Sequence, residues 1–310
     1  MDIGANTIVL LAIAILSVVL VIMAILLVKS LHYGHKLARR LDEAIEASDR
    51  MGEFFSNMTH ELRTPLSVIL GAVQLMEKDH SEQSRNERSA RNLHTIKYNC
   101  YRLLRLTNNL LDLARSESGY LTLKPVNCEL NALIDEIVQS VRPFAEKKQL
   151  ELRCLKSSKP IDIALDIEKT ERIMLNLLSN AIKFSKPGDA VTVSVCESDG
   201  RAYISVKDTG AGIPASMQHE IFDRYKQSGR CHQLENQGSG IGLSLVKTFV
   251  ELHHGNIKLI SKVDKGSEFI IDLPLVTADG IGERRSCSDL RREADEAAKV
   301  EFSSTYSITT

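Results

Sequence analysis

The stretch Phe54-Phe55-Ser56-Asn57-Met58-Thr59-His60-Glu61-Leu62-Arg63-Thr64-Pro65-Leu66 runs into apolar residues at helical spacing: Leu66, Ile69, Leu70, Val73 and Met76. His60 is therefore expected on a helix, one turn before a proline. His60 and Thr64 are four apart and share a face, and Glu61 adjoins the imidazole in sequence. Taken alone, such a helix with one histidine is an ordinary helix. The flanking chain decides whether His60 is more than that.

Toward the N-terminus, Thr7 to Val28 is an almost unbroken apolar run with Ser17 as its only interior polar residue. As a helix it would extend roughly 33 Å, enough to cross a bilayer core. A secretory signal would have a shorter apolar region preceded by positive charge. Here residues 1–6 carry Asp2 and no Lys or Arg, so a retained transmembrane helix over residues 7–28 is expected. Lys29, Lys36, Arg39 and Arg40 follow it, which by the positive-inside rule puts the rest of the chain in the cytoplasm. The expected location is the bacterial cytoplasmic membrane, single-pass. The short extracytoplasmic segment, residues 1–6, is too small for an external sensor domain. Residues 29–50, with Leu31, Leu37, Leu41 and Ile45 at helical intervals and no proline, read as a signalling helix.

The chain has 310 residues, length for about two ordinary domains. Its 43% apolar and 25% charged residues are those of a protein that buries a core. Lys+Arg 39 against Asp+Glu 40 gives no nucleic-acid footprint. The six cysteines show no CxxC spacing, which argues against a metal site or a disulfide framework.

Toward the C-terminus, the His60 helix continues to about Lys78, a polar loop covers Asp79 to Asn86, and a second helix runs from Glu87 to Ser116. Leu93, Ile96, Cys100, Leu103, Leu104, Leu106, Leu110, Leu111 and Leu113 give that helix a broad apolar stripe. Residues 51–118 thus read as an antiparallel helical hairpin. A lone hairpin cannot bury two wide stripes, so a homodimer forming a four-helix bundle is expected. Residues 121–275 change to a mixed α/β texture. Helices are expected at 130–148, 168–184 and 241–253, with strands at 150–155, 161–165, 191–196, 202–206, 256–261 and 268–273. The tail, 276–310, is charged and then rich in Ser and Thr, and is expected to be largely disordered.

Asn176, Asn180 and Lys183 fall at i, i+4 and i+7 of one helix. They form either a polar solvent stripe or a site where amide oxygens hold Mg²⁺ and a cation faces phosphate. Asp208-Thr209-Gly210-Ala211-Gly212-Ile213-Pro214 follows a strand, where glycines allow a ligand close to the backbone and a carboxylate can accept from an amine. Gly238-Ser239-Gly240-Ile241-Gly242-Leu243 opens a helix whose free N–H groups suit a polyphosphate. No GxxxxGK[ST] is present, which excludes a P-loop.

The whole thirteen-residue string around His60 resembles the phosphoacceptor box of sensor histidine kinases. Leu175 to Phe184 (LNLLSNAIKF), DTGAGIP, IFDRYKQ, GSGIGLSL and Lys265-Gly266-Ser267-Glu268-Phe269 resemble, in order and spacing, the N, G1, F, G2 and last glycine boxes of their ATPase domains. The resemblance covers about residues 51 to 275. It implies a dimerisation and phosphotransfer domain followed by a two-layer α/β sandwich of the Bergerat type, behind a membrane anchor. It implies that His60 takes the phosphoryl group from ATP, with Glu61 as base, and passes it to an aspartate of a response regulator, which Thr64 helps dephosphorylate. It further implies that Asp208 recognises adenine, with Gly210, Gly212 and Ser267 around it. Asn180, helped by Asn176, would bind Mg²⁺, and Lys183 with Gly238, Gly240, Gly242 and Leu243 would meet the phosphates. Residues 214–237 would be the lid, carrying Phe222 and Arg224. Glu268 departs from the pattern, which usually has a small hydroxyl residue there. No sensor domain is recognised, so the stimulus would arise in the bilayer or through a partner membrane protein. A nucleotide-binding scaffold without catalysis is the alternative, and the intact His60, Glu61, Asn180 and Asp208 argue against it. An ATPase or chaperone of the same nucleotide fold would have no use for the His60 helix.

Overall fold

The computed structural model describes residues 3–78, 85–223, 241–277 and 287–302. The chain divides into two compact units, Met1–Asn57 and Met58–Thr310, each described by itself. Helix α1 (Ile3–Lys78) belongs to both, and the first unit is its N-terminal part. There Met23, Leu26, Leu27, Val28, Leu31 and Leu37 are exposed in a single copy. Among the described residues no helix is long and apolar enough to cross a membrane. The expected membrane run, 7–28, lies largely outside the described side chains.

The second unit begins within the phosphoacceptor-like stretch. Pro65 sits inside α1 and brings no N–H to the helix ladder, while Thr64 Oγ1 donates to the His60 carbonyl at 3.1 Å. The expected loop lies mostly at residues 79–84, outside the described residues, and α2 (Arg85–Glu117) follows it. Glu61 of α1 feels the charges of Arg102 and Arg105 of α2. Met58, Ala72, Leu106 and Leu113 are buried, whereas Leu66, Leu70, Leu93, Leu104 and Leu111 stay open.

Beyond the hairpin, β1 (Val126–Glu129) pairs antiparallel with β3 (Asp162–Leu165) in a two-stranded sheet. A five-stranded sheet in the order β2-β4-β5-β7-β6 carries the rest. Its strands are β2 (Glu151–Leu155), β4 (Ala190–Ser198), β5 (Arg201–Asp208), β6 (Asn256–Lys262) and β7 (Gly266–Pro274). The β2–β4 pair is parallel and the other pairs are antiparallel. Period-2 alternation puts Val193, Val206 and Phe269 in one cross-strand row and Val195, Ile204 and Ile271 in the next, all buried. Helices α3 (Leu130–Lys147), α4 (Ile167–Phe184) and α6 (Gly242–Leu252) supply the second layer. Leu133, Ile137, Met174, Leu178, Val246 and Phe249 fill the space between. This is the two-layer α/β sandwich expected.

The helix ends are closed by side chains. Glu129 accepts from the Asn131 and Ala132 N–H groups to cap α3, and Asp166 accepts from Lys169 N to cap α4. At the far end of α4, Lys148 Nζ donates to the carbonyls of Ile182 and Lys183 at 2.6 and 2.8 Å.

Three expectations are corrected. Strand β1 lies where no strand was expected. A short helix, α5 (Ala215–Gln218), interrupts the start of the expected lid. The tail is not wholly disordered: α7 (Cys287–Phe302) packs on α2, α3 and α4, with Ala294, Ala298 and Phe302 buried. These residues recur every four positions, so burying that stripe compensates for the charged remainder of the helix.

Candidate active site

Asp208 is the last residue of β5, and the strand alternation that buries Ile204 and Val206 turns its carboxylate to the same helix-covered face. Oδ1 accepts from the N–H groups of Gly210 at 2.9 Å and Ser267 at 3.2 Å. Oδ2 makes no hydrogen bond among the described residues, leaving an acceptor at the rim of the sheet. Burial pushes the Asp208 carboxyl up, the two backbone donors pull it down, and Asp189 adds to the rise. The surrounding turns admit no side chain at three places, Gly210 (against the Phe184 carbonyl), Gly212 and Gly266. Gly266 has φ +87°, and a β-carbon there would strike the Asp208 carbonyl oxygen. Gly212 has φ +67°, and its β-carbon would strike the Lys262 carbonyl oxygen. Ser261 ties these turns together, because its hydroxyl accepts from Ile213 N at 2.8 Å and lies 3.0 Å from the Ser267 hydroxyl. Phe222 meets Phe269 edge-on with centroids 6.2 Å apart, which anchors the start of the lid to the core.

The second wall is α4. Asn176 is buried, its Nδ2 donating to the Arg172 carbonyl at 3.2 Å, which aims Oδ1 toward Gly242 at the start of α6. A β-carbon on Gly242 would collide with that oxygen, so the first residue of α6 and the carboxamide are in contact. Asn180 is half-buried one turn on, and Lys183 a turn further. Carboxamide oxygens are hard donors of the kind Mg²⁺ takes beside water and phosphate, so this face fits the ion. Among the described residues no cluster of His, Cys, Asp and Glu offers another metal site. Burial lowers the Lys183 ammonium, as does Arg105, while Glu61 raises it.

That last charge joins the two domains. Burial raises the Glu61 carboxyl, and the charges of Arg102 and Arg105 of α2 and of Lys183 of α4 lower it. His60 and Thr64 are exposed. The structure thus brings Asp208, Gly210 and Ser267 together, Asn176 against Gly242, and Glu61 into the field of Lys183. Leu243 follows Gly242 on α6, half-buried. Arg224, Gly238 and Gly240 lie outside the described residues.

Sequence reasoning missed Arg102, Arg105, Ser261 and Arg172. Arg172 of α4 bonds Asp112 and donates to Asn109 Oδ1 of α2 at 2.9 Å, fastening the hairpin to the sandwich. No local signal marks it, since its partners lie about sixty residues away on another helix.

Two family models match. Residues 50–119 match the His Kinase A (phospho-acceptor) domain, and residues 165–277 match the histidine kinase-, DNA gyrase B- and HSP90-like ATPase. The chain is 37% identical to the sensor histidine kinase TmoS of Ectopseudomonas mendocina over 80% of its own length and 25% of that protein. It is 33% identical to the circadian input-output histidine kinase CikA of Synechococcus elongatus, over 82% of this chain and 35% of CikA. It therefore spans only about a quarter to a third of these relatives. Among solved structures, ShkA aligns with a TM-score of 0.56 at 27% identity over 72% of this chain and 46% of ShkA. Acinetobacter baumannii AdeS aligns at 0.52 and 20% identity, over 70% of this chain and 98% of AdeS, and shares the fold. A phosphoacceptor domain and a histidine-kinase-like ATP-binding domain, joined in one chain in that order, make this chain a member of the sensor histidine kinases of two-component systems.

Proposed function

We propose that the chain phosphorylates its own His60 from ATP and passes the phosphoryl group to an aspartate on a separate response regulator. The observation that supports this reading is the Asp208 carboxylate at the rim of the sheet, one oxygen held by the Gly210 and Ser267 N–H groups and the other open, with Asn176 against Gly242, in the same chain as His60. Adenine would bind at the free Asp208 Oδ2, with its exocyclic amine donating. The phosphates would extend along the Gly242 end of α6 toward Lys183. A neutral His60 nitrogen would attack the γ-phosphorus as the bond to the ADP oxygen breaks, and Glu61 would accept the imidazole proton. Mg²⁺, held by Asn180 and Asn176, would offset negative charge on the phosphates. Lys183 would do the same, positioning and electrostatics being the main catalytic terms in phosphoryl transfer. Thr64, one turn from His60, would act when the regulator is dephosphorylated.

Partners follow from what one copy leaves open. Leu66, Leu70 and Val73 are exposed at i, i+4 and i+7, the spacing of a helix seam, which supports a homodimer through a four-helix bundle. ShkA was solved with AMPPNP, and ThkA with the response regulator TrrA, which agrees with a nucleotide and a receiver partner here. The uncharged run 7–28 followed by Lys29, Lys36, Arg39 and Arg40 supports a single-pass anchor in the bacterial cytoplasmic membrane, with catalysis on the cytoplasmic side. The stimulus would then enter through the bilayer or a partner membrane protein.

The test is incubation of the full chain with γ-labelled ATP and Mg²⁺, beside His60→Ala. Acid-labile, alkali-stable label is expected on the wild type alone, with nucleotide binding equal in both. Label persisting on His60→Ala would sink the acceptor assignment.

A further inference from the structure

A helix end leaves its last four carbonyls without a partner inside the helix, and α4 finds one for each of them. The Ala181 carbonyl accepts from Ser185 N at 3.2 Å and from the Ser185 hydroxyl at 2.7 Å. The carbonyls of Ile182 and Lys183 accept the two bonds of the Lys148 ammonium, at 2.6 and 2.8 Å. The Phe184 carbonyl accepts from Ala211 N at 3.3 Å, and Gly210 lies so close that a β-carbon there would strike the same oxygen. Three segments thus meet at one helix end: the close of α3, the turn after Asp208, and α4 itself. Of these donors Lys148 alone is charged, and its cation also faces the negative end of the helix dipole. Its backbone is fixed as well. Lys148 N donates to the carbonyls of Phe144 and Ala145, and the next residue, Gln149, turns the chain with φ +58° and accepts from Gly188 N at 2.9 Å. Lys148 is half-buried; burial lowers its ammonium and Asp189 raises it. Its two charge-assisted bonds are therefore partly sheltered from water.

We propose that Lys148 is a positioning residue for the triphosphate of ATP: by holding the last turn of α4 beside the turn after Asp208, it sets where Asn180 and Lys183 stand relative to the base-binding carboxylate. The proposal rests on the reading of α4 and Asp208 as walls of an ATP site. Lys183 carries its side chain on the very residue whose carbonyl Lys148 holds, and Asn180 stands three residues earlier, so loosening this turn displaces both. Asp208 has its own fastenings, because Oδ1 accepts from Gly210 N and Ser267 N whatever Lys148 does. Loss of the ammonium therefore frees the phosphate end of the site while the base end keeps its bonds. Lys148 meets no reacting atom; it acts through the backbone of α4.

The test uses the full chain. Dissociation constants for Mg-ATP and for adenosine are measured by calorimetry for wild type, Lys148→Met, Lys148→Gln, Lys148→Arg, Lys183→Ala and the double variant Lys148→Met with Lys183→Ala. Methionine keeps the apolar stem and removes the donors. Lys148→Met is expected to weaken Mg-ATP about tenfold and adenosine by less than about twofold. Lys148→Gln, which keeps a donor and is gentler on folding, should shift Mg-ATP in the same direction by less. Lys148→Arg restores a cationic donor and should recover most of the affinity. With Lys183 already replaced, the further loss from Lys148→Met should shrink sharply, because a group that Lys148 positions is gone. A merely structural role would weaken both ligands alike and add in full to Lys183→Ala. Either result, or unchanged Mg-ATP binding in the variants, overturns the role of Lys148. A wild type that binds no Mg-ATP overturns the nucleotide-site reading and this proposal with it; a wild type that binds it, with unmoved variants, overturns Lys148 alone.

Discussion

The sandwich and the helical hairpin treat their apolar residues in opposite ways. In the sandwich, Val193, Val206 and Phe269 meet across strands and disappear beneath Met174 and Leu178, all within one chain. Along the hairpin, Leu66, Leu70, Leu93 and Leu104 keep half or more of their surface open. The first region has finished burying itself, whereas the second leaves its apolar surface open in a single copy. The ATPase domain should accordingly fold at a stability independent of concentration, and the hairpin should not.

The largest effect that separates them is Met174→Ala. Met174 is fully buried between α4 and the sheet, so its loss should destabilise the ATPase domain by about 2–5 kcal/mol. Denaturant titration should give the same loss at every protein concentration; a concentration-dependent loss would break the contrast. Leu70→Ala comes next. If Leu70 lies in a dimer seam, each copy loses on the order of 1.5–3 kcal/mol of burial, and sedimentation should show the dimer dissociating at higher concentration. An unchanged dimer would place the seam elsewhere. Asp208→Asn should act with opposite signs on two readouts. The native state holds the Asp208 proton more tightly than the unfolded chain, so stability falls as pH rises from the ordinary carboxylate range through the raised folded value. At neutral pH the charge is a cost that the amide removes, and Tm should rise by about 2–4 °C for each kcal/mol relieved. ATP binding should be lost in the same variant; a lower Tm would refute the sign.

The smallest effect concerns His253, buried at the end of α6. Its Nδ1 lies 2.7 Å from the Phe249 carbonyl, and its Nε2 accepts from Asp166 N at 3.1 Å, so the ring is neutral. Burial depresses its proton affinity, chiefly, with Phe249 and Asp166 opposing and His254 adding. The stability it contributes is complete above the ordinary imidazole value and drains as pH falls below that toward the folded value. His253→Gln should flatten this slope in thermal melts below about pH 6.5. An equally steep slope would move its origin to another group.

The sequence displays most of this because its strong signals are local. Alternation in Val191–Val195 and Ala202–Val206, and the 3.6-residue stripe of Ile173, Leu177, Leu178 and Ala181, need no partner to be recognised. Strand β1 was hidden because the alternation of Val126-Asn127-Cys128-Glu129 lasts only four residues, too short to stand out without its pairing with β3. Helix α7 was hidden because Arg, Asp and Glu dominate it, though Ala294, Ala298 and Phe302 recur every four residues and would have disclosed its buried side. Asp208, Asn176 and Asn180 were legible as motif residues. Arg105 and Arg172 were not, because each acquires its role from a distant residue: Glu301 for one, Asp112 and Asn109 for the other.

The contact between Gly242 and the Asn176 carboxamide has a mechanical meaning. With no β-carbon between them, the start of α6 and the side chain on α4 mesh like two teeth of one gear. Any rotation of the first turn of α6 must turn the amide, and any tug on the amide must be felt by the helix. A polyphosphate tail and the cation riding on it would then be read as a single object, arriving and leaving together.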